Sequence, residues 1–155
     1  MVAAAAVRPG ELVLDIGAGT GALTAHLVRS GARVIAVELH PGRAALLRRR
    51  FPGVTVVQAD AVDLRFPGRP FRVVASPPYG ITADLMDLLL TAGSRLTAAD
   101  LVLQRAVVRK YAAGGVSRPA RRARAYQMRA GLMVPRRAFR PPPRVDSAVL
   151  VVRRR

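Results

Sequence analysis

The chain predicts an α/β fold on a mostly parallel sheet of seven strands with an antiparallel closing strand. Three observations carry that expectation. Short apolar runs at Leu12 to Ile16, Arg33 to Glu38, Val54 to Gln58, Phe71 to Ala75 and Asp100 to Leu103 alternate with helix-like stretches, the order of βαβ units with strands buried on both faces. The first run passes directly into Gly17, Gly19 and Gly21, so the first connection is a tight glycine turn. After five β/α units, Met128 to Val134 and Ser147 to Val152 read as a closing antiparallel pair.

Composition narrows the class. At 155 residues, 51% of them hydrophobic, the chain fits one globular domain with a real core. Its apolar runs stop well short of membrane-spanning length. Met1 to Val7 is alanine-rich but lacks the basic start and the length of a secretory signal. Cysteine is absent, which excludes disulfides and thiolate metal sites. His26 and His40 are far apart without partners at ligand spacing, so no metal is expected. A soluble, cytoplasmic, monomeric protein is the expectation. The net charge of +17, almost all arginine with Lys110 the only lysine, implies a polyanionic partner, with nucleic acid the default.

In chain order, the glycine turn comes first. A dinucleotide site needs G-x-G-x-x-G to seat a pyrophosphate; here the spacing is G-x-G-x-G with Asp15 just before it. A carboxylate there repels a pyrophosphate and suits a ligand carrying positive charge, which points to S-adenosylmethionine rather than a nicotinamide cofactor. Thr20 to Ser30 reads as a helix with Leu23 and Leu27 on one face and Gly31 as its left-handed cap. The second strand ends in Glu38, about twenty residues after the glycines, where an acid accepts from both ribose hydroxyls of an adenosyl ligand. His40 reads as a helix-start or surface residue before a helix from Pro41 to Phe51. Arg48-Arg49-Arg50 fits either RNA contact or the dipole at that helix end.

The third strand leads to Asp60-Ala61, where a carboxylate can accept from an adenine amino group and the next backbone N–H can donate to the ring; Asp63 is the alternative. The fourth strand runs straight into Ser76-Pro77-Pro78-Tyr79. Two prolines stiffen a loop at the carboxyl edge of the sheet, where α/β folds bind ligands. Ile81 to Leu90 reads as a further helix, and the fifth strand leads to a helix through Lys110. Ala112 to Arg124, with Gly114, Gly115, Ser117, Pro119 and several arginines, suits phosphate contact. Phe139 opens F-R-P-P-P-R-V-D-S between the last two strands.

The order D-I-G-A-G-T-G, V-E-L-H, Q-A-D-A, S-P-P-Y and F-R-P-P-P-R-V-D-S resembles the rRNA adenine-N6 methyltransferases, which include the Erm macrolide-resistance enzymes and the KsgA-type 16S rRNA dimethyltransferases. G-A-R-V-I-A-V-E-L-H-P, R-P-F-R-V-V-A and D-L-V-L-Q-R are closer to the actinobacterial Erm pattern. The resemblance implies a Rossmann-like, S-adenosylmethionine-dependent fold and a 23S rRNA adenine as target. It implies cofactor contacts at Asp15, Gly17, Gly19, Glu38, Leu39, Asp60, Ala61 and Ser76. Target-base contacts fall at Ser76, Pro77, Tyr79 and Phe139. Ser76 stands where the family usually carries asparagine. The family's N-terminal Gln-Asn-Phe segment and its helical C-terminal domain have no counterpart, so the expectation is one catalytic domain over 1–155 with a truncated N-terminal segment. The arginines at 121, 122, 124, 136, 137 and 153 to 155 are candidates to bind RNA in place of that domain. KsgA-like 16S methylation, DNA adenine methylation and an inactive RNA-binding remnant stay open.

Overall fold

The computed structural model describes residues 1–115 and 124–155; the expected loop residues Ser117, Pro119, Arg121 and Arg122 lie outside them. Seven strands form one sheet in the order β3-β2-β1-β4-β5-β7-β6. They are β1 (Leu12–Ile16), β2 (Arg33–Glu38), β3 (Thr55–Gln58), β4 (Phe71–Ala75), β5 (Leu96–Gln104), β6 (Tyr126–Val134) and β7 (Ser147–Arg154). Strands β1 to β5 pair in parallel, and β7 runs antiparallel to both β5 and β6. The predicted mostly parallel sheet with its closing antiparallel strand is therefore present.

Every residue of β1 is buried, as a central strand with cover on both faces requires. Alternation splits its side chains. Leu12, Leu14 and Ile16 enter the large core with Phe71, Val73, Leu85, Met86 and Leu89, while Val13 joins Leu27, Val34 and Val74 on the other face. Helices α1 (Val2–Ala5), α2 (Ala22–Arg29), α3 (Pro41–Arg50), α4 (Thr82–Leu89) and α5 (Arg105–Ala112) complete the fold. Pro41 opens α3, and His40 Nδ1 accepts from the N–H groups of Gly42 and Arg43 at 3.1 and 3.4 Å. The histidine is thus a helix cap, as its position suggested.

Strand β5 is longer than the sequence indicated, starting at Leu96 rather than Asp100. A buried aspartate in mid-strand reads from sequence as a boundary, but here its charge is matched. Asp100 is 3.0 Å from the Arg153 guanidinium and 3.5 Å from that of Arg72. Arg72 in turn reaches Glu11 at 3.0 Å and the Ala5 carbonyl at 2.6 Å, which ties the one-turn α1 to the sheet.

After β1 the chain builds outward through β2 and β3; from β4 it builds the opposite way through β5. The connections following β1 and β4 therefore diverge and leave a crevice at the carboxyl edge. Gly21, at the base of the glycine turn, has φ +93°, and a Cβ there would stand 2.5 Å from Phe51 Cε2 and 2.9 Å from Leu47 Cδ2. Gly21→Ala is expected to cost about 2–5 kcal/mol through backbone strain and overpacking, read from urea unfolding. A midpoint within error of wild type would show that the turn relaxes freely.

Candidate functional site

The crevice is built by four connections that leave parallel strands β1 to β4 at the same edge. The glycine turn is fixed first. The N–H groups of Gly17 and Ala18 both donate to the Val37 carbonyl, at 2.9 and 3.0 Å, joining the turn to the end of β2. Gly17 has φ +75°, and a Cβ there would lie 3.1 Å from Pro78 Cδ and 3.4 Å from Pro77 Cα. The glycine turn and the proline loop after β4 are therefore in direct contact, and side-chain bulk between them is excluded. At Gly19, φ is +60° but no atom lies within 4 Å of the Cβ position. Its backbone opens onto the cleft, leaving space for a ligand.

Glu38 ends β2 above this turn and is buried. One carboxylate oxygen accepts from Gly19 N–H at 2.8 Å and the other from His40 N–H at 2.9 Å, with the Arg43 guanidinium 3.9 Å away. Each oxygen keeps further acceptor capacity. Asp60 Oδ1 accepts from Val62 N–H at 3.1 Å and caps the short helical turn Ala61–Asp63, which leaves its second oxygen for a ligand. Asp60 and Ala61 line the cleft and Asp63 does not.

Ser76, Pro77 and Tyr79 follow β4. The Tyr79 carbonyl accepts from Thr82 Oγ1 at 3.0 Å at the start of α4, and the Tyr79 and Ser147 hydroxyls are 2.6 Å apart. Phe139, on the connection between β6 and β7, packs against Val102, Val149 and Val151 of the sheet. Arg136 and Asp146 bracket that connection with a 3.0 Å ion pair.

Gly17, Gly19, Glu38, Leu39, Asp60, Ala61, Ser76, Pro77, Tyr79 and Phe139 all line one cleft of about 510 Å³. Asp15 lines an adjoining cleft of about 910 Å³. Gly17, Gly19, Arg43, Ser76 and Phe139 border both, so the two form one branched space with Ser76 at the junction. The sequence reading had not singled out Arg43, Ile81, Thr24 or Ser147. Arg43 and Ile81 line the cleft; Thr24 and Ser147 hold site side chains from behind. Their only signal in sequence is a hydroxyl on an otherwise apolar face.

Asp15 sits behind the glycine turn and is 1% exposed. Thr24 Oγ1 donates to its Oδ2 at 2.6 Å. Burial raises its pKa from 3.8 to about 7; the Thr24 hydrogen bond opposes that rise and the nearby charge of Glu38 adds to it. Among the described residues no cluster of three potential metal-ligating side chains occurs, and no helix is long and apolar enough to cross a membrane.

The family model for ribosomal RNA adenine dimethylases matches residues 1–155. An rRNA methyltransferase of Streptomyces thermotolerans is 42% identical over 95% of the chain and 51% of its own length. The ribosomal RNA small subunit methyltransferase A of Leptothrix cholodnii is 36% identical over 92% of the chain and 57% of its own. The crystal structure of the 23S rRNA methyltransferase ErmE aligns with a TM-score of 0.88 at 33% identity, covering 99% of this chain and 65% of that one. The chain spans little more than half the length of the curated relatives it matches.

The raised pKa of Asp15 has a stability signature. The folded carboxyl holds its proton up to about pH 7, whereas the unfolded one releases it near 3.8. The native state binds more protons in that window, so this group's contribution to stability is lost as pH rises from about 4 to 7, by up to ~4 kcal/mol. Asp15→Asn should abolish the loss and unfold at higher urea than wild type at pH 8. Equal pH responses of the two proteins between pH 4 and 8 would rule out a raised Asp15 pKa.

Proposed function

The chain belongs to the ribosomal RNA adenine dimethylase family, and from that premise we propose that it transfers methyl from S-adenosylmethionine to N6 of a 23S rRNA adenine. Methylation there blocks macrolide, lincosamide and streptogramin B antibiotics, so the proposed consequence is resistance. The observation that carries the reading is the Ser76-Pro77-Pro78-Tyr79 loop in contact with the glycine turn, at the junction of the two cleft branches.

The residues present fit the cofactor. The open backbone at Gly19 leaves room for it beside a 510 Å³ cleft. Glu38 would accept from ribose hydroxyls, the free Asp60 oxygen from the adenine amino group, and Leu39, 62% exposed at the cleft rim, would cover an apolar ring face. Asp15 would balance a cationic ammonium through the turn. S-adenosylmethionine supplies a methyl group activated by its sulfonium.

The protein's own task is to present the nucleophile. The exocyclic nitrogen of adenine is poorly nucleophilic because its lone pair is delocalised into the ring. Ser76 Oγ and the Pro77 carbonyl would accept its two hydrogens and turn the lone pair out of the ring plane. Tyr79 and Phe139 would hold the unstacked base between them. Alignment alone is worth several kcal/mol as pre-organised entropy.

Arginine supplies the attraction to RNA. Arg136, Arg153 and Arg154 contact Asp146, Asp100 and the Ser94 carbonyl, and Arg50 the Thr20 carbonyl, while Arg50, Arg136 and Arg154 stay exposed. Arg105, Arg109, Lys110, Arg137 and Arg144 are exposed and suit phosphate contact. A 16S target is the second reading, favoured by the likeness to small-subunit methyltransferases.

Calorimetry should give micromolar cofactor binding, about −8 kcal/mol, and no detectable binding would end the enzymatic reading. Transfer to 23S but not 16S rRNA, with raised macrolide tolerance in a sensitive host, is the expected outcome; transfer to 16S alone would establish the second reading. Tyr79→Ala and Phe139→Ala should cut transfer far more than cofactor affinity, and equal losses would refute base stacking. RNA affinity should fall with salt by about 0.7–0.9 in log–log slope per phosphate contacted; a flat response would make the +17 charge incidental.

A further inference from the structure

We infer that Ser147 is a positioning residue, whose hydroxyl holds the Tyr79 ring in the attitude required for stacking the target adenine. The inference rests on the methyl-transfer reading above. The Tyr79 and Ser147 hydroxyl oxygens are 2.6 Å apart, at the short end of O–H···O geometry. They are 68 positions apart in the chain, so the bond joins two segments that only the folded sheet brings together.

The two ends of this bond differ in character. Ser147 is fully buried and Tyr79 half-buried. The phenol is therefore anchored inside the sheet while the ring borders the cleft. Ser147 is itself held rigidly. It pairs with Gln104 of β5 on one side and with Val134 of β6 on the other. Immediately before it, the Asp146 carbonyl accepts from Arg105 N–H at 2.8 Å, and the Asp146 carboxylate holds Arg136 at 3.0 Å. A buried hydroxyl on a doubly paired strand makes a better anchor than one on a loop.

The anchor has a clear physical use. A tyrosine on a loop turns about two side-chain torsions, and stacking fixes both. Holding the phenol oxygen removes that freedom before the base arrives. It also sets one wall of the base site against the other, because Ser147 ends the connection that carries Phe139, while Tyr79 follows β4. Serine is small enough to close the strand here and still reach the phenol.

The test combines Ser147→Ala, Tyr79→Phe and the double variant of the full chain. Ring ¹³C relaxation of Tyr79 in the cofactor-free protein reads the anchor directly. Ser147→Ala should mobilise that ring, lower kcat for methyl transfer about fivefold, the worth of one hydrogen bond, and leave cofactor Kd unchanged. Tyr79→Phe should lower kcat equally, and the double variant no further, since both remove the same bond. An equally ordered ring in Ser147→Ala, or losses that multiply in the double variant, would overturn the inference. So would wild-type kcat in Ser147→Ala. A wild-type chain that binds cofactor and methylates no adenine would instead overturn the methyl-transfer reading on which the role rests.

Discussion

The structure depends on one close approach, that of the Gly17 backbone against Pro77 and Pro78. The contact lies where the direction of sheet building reverses, so the connections after β1 and β4 start side by side and diverge. Because Gly17 has no side chain, the two loops share a wall, and the residues just beyond them face one space. Glu38 and Asp60 enter the same space because β2 and β3 are the next strands out. The order of strands thus places Glu38, Asp60 and the Ser76-Pro77-Tyr79 loop along one crevice. A β-carbon at position 17, at φ +75° and 3.1 Å from Pro78 Cδ, would strain the turn and require the proline loop to shift by a few tenths of an ångström.

Buried charge is handled differently on β1 and on β5. Away from the crevice, Asp100 is compensated by Arg72 and Arg153, and Arg72 also carries Glu11 and the α1 carbonyl. That cluster knits strands together, although Asp100 Oδ2, 3.5 Å from Arg72, accepts no hydrogen bond. Beside the crevice, burial raises the proton affinity of Asp15, the nearby Glu38 carboxylate adds to the rise, and Thr24 opposes it through its hydroxyl and backbone. An incompletely compensated carboxylate behind a ligand-facing turn is poised to gain from an incoming cation, which is the kind of stability conceded to function. Glu38 lies between these cases, its direction fixed by two backbone N–H groups and the Arg43 guanidinium 3.9 Å away.

Much of the fold was readable because its signals are local. Strands β1, β2 and β4 begin and end where apolar runs meet turn residues, and the positive φ of Gly17, Gly19 and Gly21 follows from a glycine spacing visible in the chain. The candidate residues that share the cleft were legible as a group for the same reason, since most sit within a few positions of a strand end. Asp100 misled the reading of β5, because its neutralising partners come from β4 and β7. Arginine was the least readable feature. Of the residues expected to meet RNA, Arg136, Arg153 and Arg154 also make contacts within the fold, and nothing in their local sequence separates them from Arg137 and Arg144.

The sequence by itself determined the class of sheet, the glycine turn, and the acids and prolines at the strand ends, because periodicity, backbone freedom and side-chain chemistry are properties of short stretches. Only the tertiary structure decided which hydroxyl holds Tyr79, which arginines make internal contacts, and that Asp15 is buried. These depend on distances between residues tens of positions apart, and strand order and register set those distances only when the whole sheet has closed.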